Sequence, residues 1–119
     1  MSDPIATEIR LRTQSRVLVV AFADGQRFEL PFEYLRVYSP SAEVRGHGVG
    51  PAVLVLGKEH VGIKAIEPVG RYAVKLVFDD GHDTGLYTWK YLYELGAERE
   101  HKWADYLLRK QHNETKKKG

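Results

Sequence analysis

The sequence of 119 residues contains no cysteine. This absence excludes disulfide bonds, thiolate metal ligands, iron–sulfur ligation by this chain and a cysteine nucleophile. The chain also lacks an apolar run of the roughly 20 residues that a membrane-spanning helix needs. Its first ten residues lack the basic-then-apolar order of a signal peptide. Together these absences predict a cytoplasmic protein with no membrane partner.

An excess of charge of one sign is missing as well. The 18 basic and 16 acidic residues give a formal net charge of +2, and most of them alternate along the chain. Because nucleic-acid-binding domains carry a clustered basic surface, DNA or RNA is not expected as a partner. The lysine run 116–118 is interpreted as part of a disordered, solubilising tail at residues 113–119.

The length fits one domain, which we expect to span residues 7–112 after a frayed N-terminus at 1–6. Its organising stretch is Tyr72–Leu95, where an apolar run, an Asp-Gly turn, a second extended run and an aromatic-rich segment follow one another. This order predicts a β-hairpin that leads into a helix, because Asp and Gly tolerate the backbone of tight hairpin turns. Thr88 is expected to cap that helix and Gly96 to end it.

The remaining elements follow from periodicity and from turn residues. Pro31 is expected at a helix start, because it lacks the N–H that a helix start leaves unpaired. Ser39 and Pro40 should begin a further short helix. The predicted strands are 7–12, 16–22, 26–30, 53–56 and 63–69, and the predicted helices are 32–37, 39–43 and 97–112. The fold class is therefore α+β, a single domain with a twisted, mainly antiparallel sheet of hairpins and a C-terminal helix packed on it.

The sequence also contains a faint internal repeat. Phe22, Asp24 and Gly25 recur as Phe78, Asp80 and Gly81 at one constant offset. Each copy continues to a Tyr-Leu pair, at 34–35 in the first copy and at 91–92 in the second. Gene duplication and independent convergence on Asp-Gly turns both explain this pattern, and the sequence favours convergence.

Candidates for chemistry are few. Asp79, Asp80, His82 and Asp83 could supply oxygen and nitrogen ligands to a divalent cation, with His47 as a further ligand. Because strand side chains alternate between faces, a solvated hairpin tip is the simpler interpretation. A Ser–His–Asp triad could be drawn from Ser39 or Ser41 with His82, but no Gly-x-Ser-x-Gly turn supports it. A pocket beside the Gly46–Gly50 loop would instead suit a small enzyme.

Aromatic side chains cluster in the C-terminal third of the chain. Trp89, Tyr93, Trp103 and Tyr106 form a candidate interaction face, since Trp and Tyr dominate the hot spots of protein interfaces. Packing of these rings in the core is the competing interpretation, and the sequence favours it.

Several segments together resemble one protein family. They are Leu30-Pro31, Tyr34-Leu35-Arg36, Pro68-Val69-Gly70 and, above all, Phe78-x-Asp80-Gly81-His82 followed by Gly85-x-Tyr87-x-Trp89-x-x-Leu92. Their order and spacing over about residues 7–96 resemble the γ-butyrobetaine hydroxylase-like N-terminal domain family. The resemblance implies a small module. In relatives it precedes the catalytic domain of 2-oxoglutarate- and iron-dependent hydroxylases, is fused to ATPases of iron–sulfur cluster assembly, or stands alone.

In the hydroxylases, the resemblance implies a structural zinc held by three cysteines and one histidine. Those positions correspond here to Ser39, Ser41, Val44 and His82. Serine hydroxyls are poor zinc ligands and valine is none, so we expect neither the zinc site nor any other cofactor. His82 is expected instead to form a hydrogen bond that ties the hairpin to the Ser39–Glu43 turn.

The sequence therefore predicts a non-catalytic accessory or protein-binding module. Family fusions suggest a protein partner that handles iron or iron–sulfur clusters or belongs with 2-oxoglutarate oxygenases. Two alternatives stay open: a metal-binding protein that uses His82, Asp80 and His47, and a small enzyme with a pocket near Gly46–Gly50.

Overall fold

The computed structural model describes residues 3–40, 55–82 and 85–118, with side chains described as far as Asn113. Within these residues the elements are β1 (Ala6–Arg12), β2 (Val17–Phe22), β3 (Arg27–Pro31), α1 (Phe32–Val37), β4 (Ile63–Val69), β5 (Ala73–Phe78), β6 (Leu86–Thr88), α2 (Trp89–Ala97) and α3 (Arg99–Lys118). The predicted α+β class is confirmed. The predicted bounds of β1 to β4 agree to within one residue, and those of α1 agree at both ends.

The strands form two antiparallel sheets of three strands, in the orders β1-β2-β3 and β4-β5-β6. The central strands β2 and β5 are the most apolar, and their alternate side chains Val20, Phe22, Leu76 and Phe78 are buried. These side chains join the helices in one hydrophobic cluster that both sheets share. The shared cluster makes the two sheets parts of one domain, since neither sheet buries its apolar face alone.

The two sheets also share their hydrogen-bonding register. In the first, Ala6 pairs with Phe22 and a bulge follows before Glu8 pairs with Ala21. In the second, Ile63 pairs with Phe78 and the same bulge precedes the pairing of Ala65 with Val77. We call β1-β2-β3-α1 the first unit and β4-β5-β6-α2 the second unit.

The Asp-Gly turns of the two units have the same geometry. The Gly25 N–H donates to the Phe22 carbonyl at 3.0 Å, and the Gly81 N–H donates to the Phe78 carbonyl at 3.4 Å. Gly25 and Gly81 have φ values of +94° and +92°, which favour glycine. Shared register, bulge and turn geometry favour duplication over the convergence preferred from sequence.

Gly96 has a different role from the predicted one. The helix continues through it to Ala97, and its cap residue is Glu98. A Cβ at Gly96 would overlap the ring of Phe28, so a glycine is needed for close packing of α2 on β3. The capping prediction for Thr88 is confirmed, because its hydroxyl accepts a hydrogen bond from the Tyr91 N–H at 3.0 Å.

The C-terminal helix and the middle of the chain also differ from prediction. α3 runs from Arg99 to Lys118 and so enters the segment expected to be a disordered tail. The reason is that no proline or glycine interrupts residues 99–118. In the strand predicted at 53–56, residues 55 and 56 lie outside any strand and the other two lie outside the described residues. Residues 41–43 of the predicted helix 39–43 also lie outside them.

Candidate functional site

A cluster of polar side chains surrounds the Asp-Gly turn of the second unit. Asp80 Oδ2 accepts hydrogen bonds from Arg36 Nε of α1 at 2.9 Å and from Lys58 Nζ at 2.7 Å. Asp80 Oδ1 accepts from the backbone N–H of His82 at 3.1 Å. Burial by itself would raise the pKa of Asp80, but the hydrogen bonds from Lys58, His82 and Arg36 outweigh it and lower the pKa to about 2. The carboxylate is thus a surface anion held between two cations.

Ser39 and His82 meet beside this carboxylate. Ser39 Oγ lies 2.7 Å from His82 Nε2, so the hydrogen bond predicted from the sequence is present. Ser39 follows α1 and is only 2% exposed. A Cβ at Gly85 would lie 2.6 Å from Ser39 Oγ, so this side of the serine is closed by the backbone of the neighbouring segment.

Arg36 links the cluster to the core. Its side chain is 12% exposed, and its guanidinium carbon lies 6.0 Å from the centre of the Phe78 ring. Its Nη1 is buried and has no hydrogen-bond partner among the described residues. The strong bond to Asp80 therefore coexists with one unsatisfied donor.

The first unit provides an internal comparison. Asp24, the equivalent of Asp80, accepts a hydrogen bond from the Tyr93 hydroxyl of α2 at 2.7 Å. Tyr93 packs edge-on against Phe22 and Phe28, with ring centres 5.0 and 5.5 Å away. An aromatic cluster therefore occupies, in the first unit, the position that Arg36 and its polar neighbours occupy in the second. The fold can be built with apolar residues here, so the polar set is a property of this one tip.

The described side chains among those proposed from the sequence as ligands of a divalent cation are hydrogen-bonded to other groups of the protein. Asp79 Oδ1 accepts from the Gly62 N–H at 2.9 Å, Asp80 binds Arg36 and Lys58, and His82 binds Ser39. Among the residues that the structure describes, no group of three His, Asp or Glu side chains is placed to hold a metal ion.

The zinc site implied by the family resemblance does not fit these residues. Ser39 and His82, two of its four positions, do lie together, but they are joined by a direct hydrogen bond. Ser41 and Val44 lie outside the described residues, and neither side chain is a thiolate. Asp83, His47 and the Gly46–Gly50 loop also lie outside them. Ser39 is buried, so the serine and histidine do not form an accessible nucleophile and base.

The four aromatic residues of the candidate interaction face do not share one surface. Tyr106 is buried and its hydroxyl donates to the Val55 carbonyl at 2.8 Å, so it belongs to the core. Trp103 is half-buried and stacks on Tyr106 at 4.9 Å. Tyr93 belongs to the aromatic cluster of the first unit. Trp89 is half-buried, and its Nε1 donates to the Arg71 carbonyl at 2.9 Å.

Exposed apolar residues that sequence reasoning missed lie on the second sheet. Val69, Tyr72 and Leu86 are 43%, 68% and 44% exposed. Val69 pairs with Ala73, and Leu86 pairs with Lys75, so both share the face of the second sheet that points away from the core. Tyr72 and Trp89 meet at the adjoining end of the same sheet, where the Trp89 N–H donates to the Tyr72 carbonyl, and we call Val69, Tyr72, Leu86 and Trp89 together the sheet patch.

The equivalent positions of the first unit are polar or covered. The register matches Val69 with Arg12 and Leu86 with Glu29, and these two residues form an ion pair at 3.6 Å. Tyr72 matches Arg16, whose guanidinium lies 5.9 Å from the centre of the Phe32 ring, the equivalent of Trp89. The constant sequence offset of the two turns matches Leu86 with Leu30 instead, so the exchange of a charged pair for apolar residues is visible only from the register of the two sheets.

The fold and the site define a small α+β domain of two similar units, with an internally paired polar tip and an apolar patch on the second unit. The chain belongs to the γ-butyrobetaine hydroxylase-like, N-terminal family, whose family model matches residues 9–93. No helix in the described part of the chain combines the length and the apolar character that a membrane span requires.

Solved structures include similar proteins. One, determined by NMR in solution, is 54% identical over 95% of this chain and 84% of its own, with a TM-score of 0.83. A second NMR structure is 49% identical over 91% of this chain and 85% of its own, with a TM-score of 0.76. A crystal structure from Acidithiobacillus ferrooxidans, of a protein with unknown function in the DUF971 family, is 47% identical over 82% of this chain and all of its own, with a TM-score of 0.68. Among curated proteins no relative matches this chain.

Proposed function

We propose that this protein is a non-catalytic accessory module that binds another protein through the sheet patch. The observation that carries the proposal is the exchange of the Arg12–Glu29 ion pair of the first unit for exposed Val69 and Leu86 in the second. The fold accommodates charge at these positions, so folding alone does not require apolar residues there. Contact with a partner would account for apolar residues at these positions, because burying apolar surface stabilises a complex.

The aromatic residues strengthen this assignment. Tyr72 is the most exposed large hydrophobic side chain among the described residues, and it lies next to Trp89 across the backbone hydrogen bond from the Trp89 N–H to the Tyr72 carbonyl, at 2.8 Å. Tyr and Trp supply large, rigid contact areas and are enriched at the centres of interfaces. The exposed cations Arg71 and Lys90 adjoin the two aromatic residues. The partner surface that fits is apolar with acidic residues at its rim.

The polar tip supports an accessory role rather than a reaction. Its carboxylates accept hydrogen bonds from cationic side chains and from the backbone, and its serine and histidine are hydrogen-bonded to each other. Because relatives carry this module fused to larger proteins, we propose that the partner is a separate protein of the same kind. That class comprises proteins that handle iron or iron–sulfur clusters and 2-oxoglutarate oxygenases.

The test is recovery of the tagged protein from its host at natural abundance and low salt, followed by titration of the purified partner. The decisive variant is Val69→Arg with Leu86→Glu, which gives the second unit the charged pair that the first unit already contains. We expect this variant to fold and to lose the partner, and Tyr72→Ala to weaken binding by about thirtyfold, as for an interface hot spot.

Leu108→Ser is the matched control, because Leu108 is an exposed leucine on α3, away from the sheet patch. It should bind the partner as the wild type does. Equal binding by the wild type and the Val69→Arg, Leu86→Glu variant would refute the proposal.

A further inference from the structure

Arg16 lies in a slot at one end of the first unit. It is the last residue of the loop between β1 and β2. Its guanidinium carbon lies 5.9 Å from the centre of the Phe32 ring, and its Nη2 donates a hydrogen bond to the Val61 carbonyl. The slot therefore has an aromatic ring from the start of α1 on one side and a backbone carbonyl from the segment before β4 on the other.

The second unit contains the equivalent slot. The backbone N–H that follows β2 donates to the Ile5 carbonyl at 2.9 Å, and the one that follows β5 donates to the Gly62 carbonyl at 2.8 Å. The segment before β1 is thus equivalent to the segment before β4, and Pro4 corresponds to Val61. The walls of the second slot are Trp89, which matches Phe32, and the chain at Pro4.

The residue equivalent to Arg16 does not occupy this second slot. The Phe32 N–H donates to the Arg16 carbonyl at 3.0 Å, as the Trp89 N–H does to the Tyr72 carbonyl at 2.8 Å, so Tyr72 has the position of Arg16. The loop that ends at Tyr72 has three residues instead of four. Arg16 has a φ of +58°, the only positive φ of a non-glycine residue in the described ranges. Tyr72 has a different backbone, and its side chain is 68% exposed.

The second slot is a cavity that opens to solvent. It has a volume of ≈ 190 Å³ and is lined by Asp3, Pro4, Tyr72, Thr88, Trp89 and Lys90. Sites for small molecules and cofactors begin at roughly 300 Å³, whereas about 150 Å³ is enough for a benzene ring. The cavity therefore has room for one planar side chain and not for a cofactor.

The lining of the cavity suits a guanidinium group. The Trp89 Nε1–H already donates to the Arg71 carbonyl at 2.9 Å, so the indole offers the face of its ring and no further donor. Tryptophan is the best aromatic partner for a cation, and the flat guanidinium both stacks on rings and donates to oxygen atoms. Asp3 supplies a carboxylate, while Lys90 places an exposed cation at the same cavity. A bound cation would thus depend on the ring and on Asp3, against some repulsion from Lys90.

We propose that this cavity binds an arginine side chain of the partner protein, in the position that Arg16 has within the first unit. Its guanidinium stacks on Trp89 and pairs with Asp3. This inference rests on the proposed function, because Tyr72 and Trp89 belong to the sheet patch, and it adds the group that the partner presents there. The first unit fills its slot with its own arginine, and the second unit leaves that contact to the partner.

A titration without the partner tests the cavity directly. The probe is N-acetyl-arginine methylamide, and N-acetyl-leucine methylamide is the apolar comparison. The chain has two tryptophans, so two indole N–H signals appear in the NMR spectrum, and Trp103→Phe assigns them. We expect a saturable shift of the Trp89 signal with the arginine probe, in the millimolar range of a single side chain, and little shift at Trp103. An equal or larger response of Trp89 to the leucine probe, or none to the arginine probe, would overturn the proposal.

Charge variants sharpen this titration. Lys90→Glu copies Glu33, which has this position in the first unit, and should lower the dissociation constant of the arginine probe by about threefold at low salt. Asp3→Asn should raise it by about threefold. Lys64→Glu is the matched control for net charge, because Lys64 is exposed at the far end of β4 from the loop, and it should leave the constant unchanged. Equal constants for Lys90→Glu, Asp3→Asn and the wild type would contradict the assignment.

Titration of the partner separates this inference from the proposed function. Asp3→Asn should weaken partner binding by about threefold. If Asp3→Asn binds the partner as the wild type does while Val69→Arg with Leu86→Glu abolishes binding, the arginine assignment is wrong and the proposed function stands. If the arginine probe binds at Trp89 but Val69→Arg with Leu86→Glu retains the partner, the specificity of the cavity stands and the sheet patch is not the interface.

Discussion

Tyr34 and Tyr91 form the same hydrogen bond in opposite directions between the two units. The Tyr34 hydroxyl of α1 donates to the Leu95 carbonyl of α2 at 2.7 Å. The Tyr91 hydroxyl of α2 donates to the Tyr38 carbonyl after α1 at 2.5 Å. Both donors and both acceptors occupy equivalent positions of the repeat. Each helix therefore satisfies a carbonyl near the C-terminal end of the other, where backbone acceptors have no partner within their own helix.

Tyr34→Phe should lower stability by about 1–2 kcal/mol, because it removes a buried donor and leaves the Leu95 carbonyl without it. Burial raises the pKa of Tyr34, so the hydroxyl remains a donor throughout the neutral range. The free energy of unfolding in urea measures the loss. Tyr72→Phe, at an exposed tyrosine, is the control and should change it by less than about 0.5 kcal/mol. Equal effects of the two substitutions would show that the buried bond contributes nothing.

His82→Ala should lower the melting temperature by several degrees. Loss of a partly buried hydrogen bond costs about 1 kcal/mol, which corresponds to roughly 4 °C or more in a domain of this size. Because Ser39 and His82 also have other neighbours, the bond itself is measured by a double-mutant cycle with Ser39→Ala. We expect a coupling free energy of about 0.5–1.5 kcal/mol. An unchanged melting temperature, or fully additive effects, would contradict the assignment.

Asp80 should make part of the stability dependent on acid. Its pKa falls from 3.8 to about 2 in the folded protein, since the hydrogen bonds of Lys58, His82 and Arg36 outweigh burial. The stabilisation is therefore complete above about pH 4 and is lost as the pH falls toward about 2. Asp80→Asn should be less stable than the wild type at neutral pH, and the difference should shrink over that interval. The midpoints of urea unfolding of both proteins are measured from pH 7 to pH 2. A difference between them that stays constant over this range would refute the stabilising role of the ionised Asp80 carboxylate.

Gly96→Ala should destabilise the domain by about 1–3 kcal/mol, although alanine is the better helix former, because the new methyl group overlaps the Phe28 ring. A second substitution, Phe28→Leu, should make room for that methyl group. We expect the double variant to lose less stability than the two single variants do in sum. A stabilised Gly96→Ala protein would instead mean that Phe28 moves aside without cost.

The sequence predicts local structure well here because its signals are local. Asp-Gly turns, period-two alternation and the Thr88 cap each act over a few residues, and they place most of the described strands and the first two helices. Gly96 was wrongly assigned as a helix end, because its role depends on Phe28, which is 68 residues away in the chain. No local pattern distinguishes a glycine that ends a helix from one that admits a neighbouring ring.

The sequence predicted one contact of the candidate site and missed those that depend on residues from distant segments. The resemblance to the family brought Ser39 and His82 together, and their hydrogen bond is present. Arg36 and Lys58 were missed as partners of Asp80, since each lies on a separate segment and a lone cation has no motif. The sheet patch was missed because Val69 and Leu86 look like ordinary strand residues until their counterparts, Arg12 and Glu29, are placed beside them.

The shared hydrophobic cluster has a consequence for how the molecule comes apart. Val20 and Phe22 of one sheet and Leu76 and Phe78 of the other lie in the same interior. Removing either unit would expose the apolar side of the remaining one to water. We therefore expect heat or urea to melt both units in one all-or-none step, with fluorescence of Trp89 in the second unit and Trp103 beyond it reporting the same midpoint as circular dichroism. Although the protein consists of two similar units, we expect no intermediate in which one unit is folded and the other is unfolded.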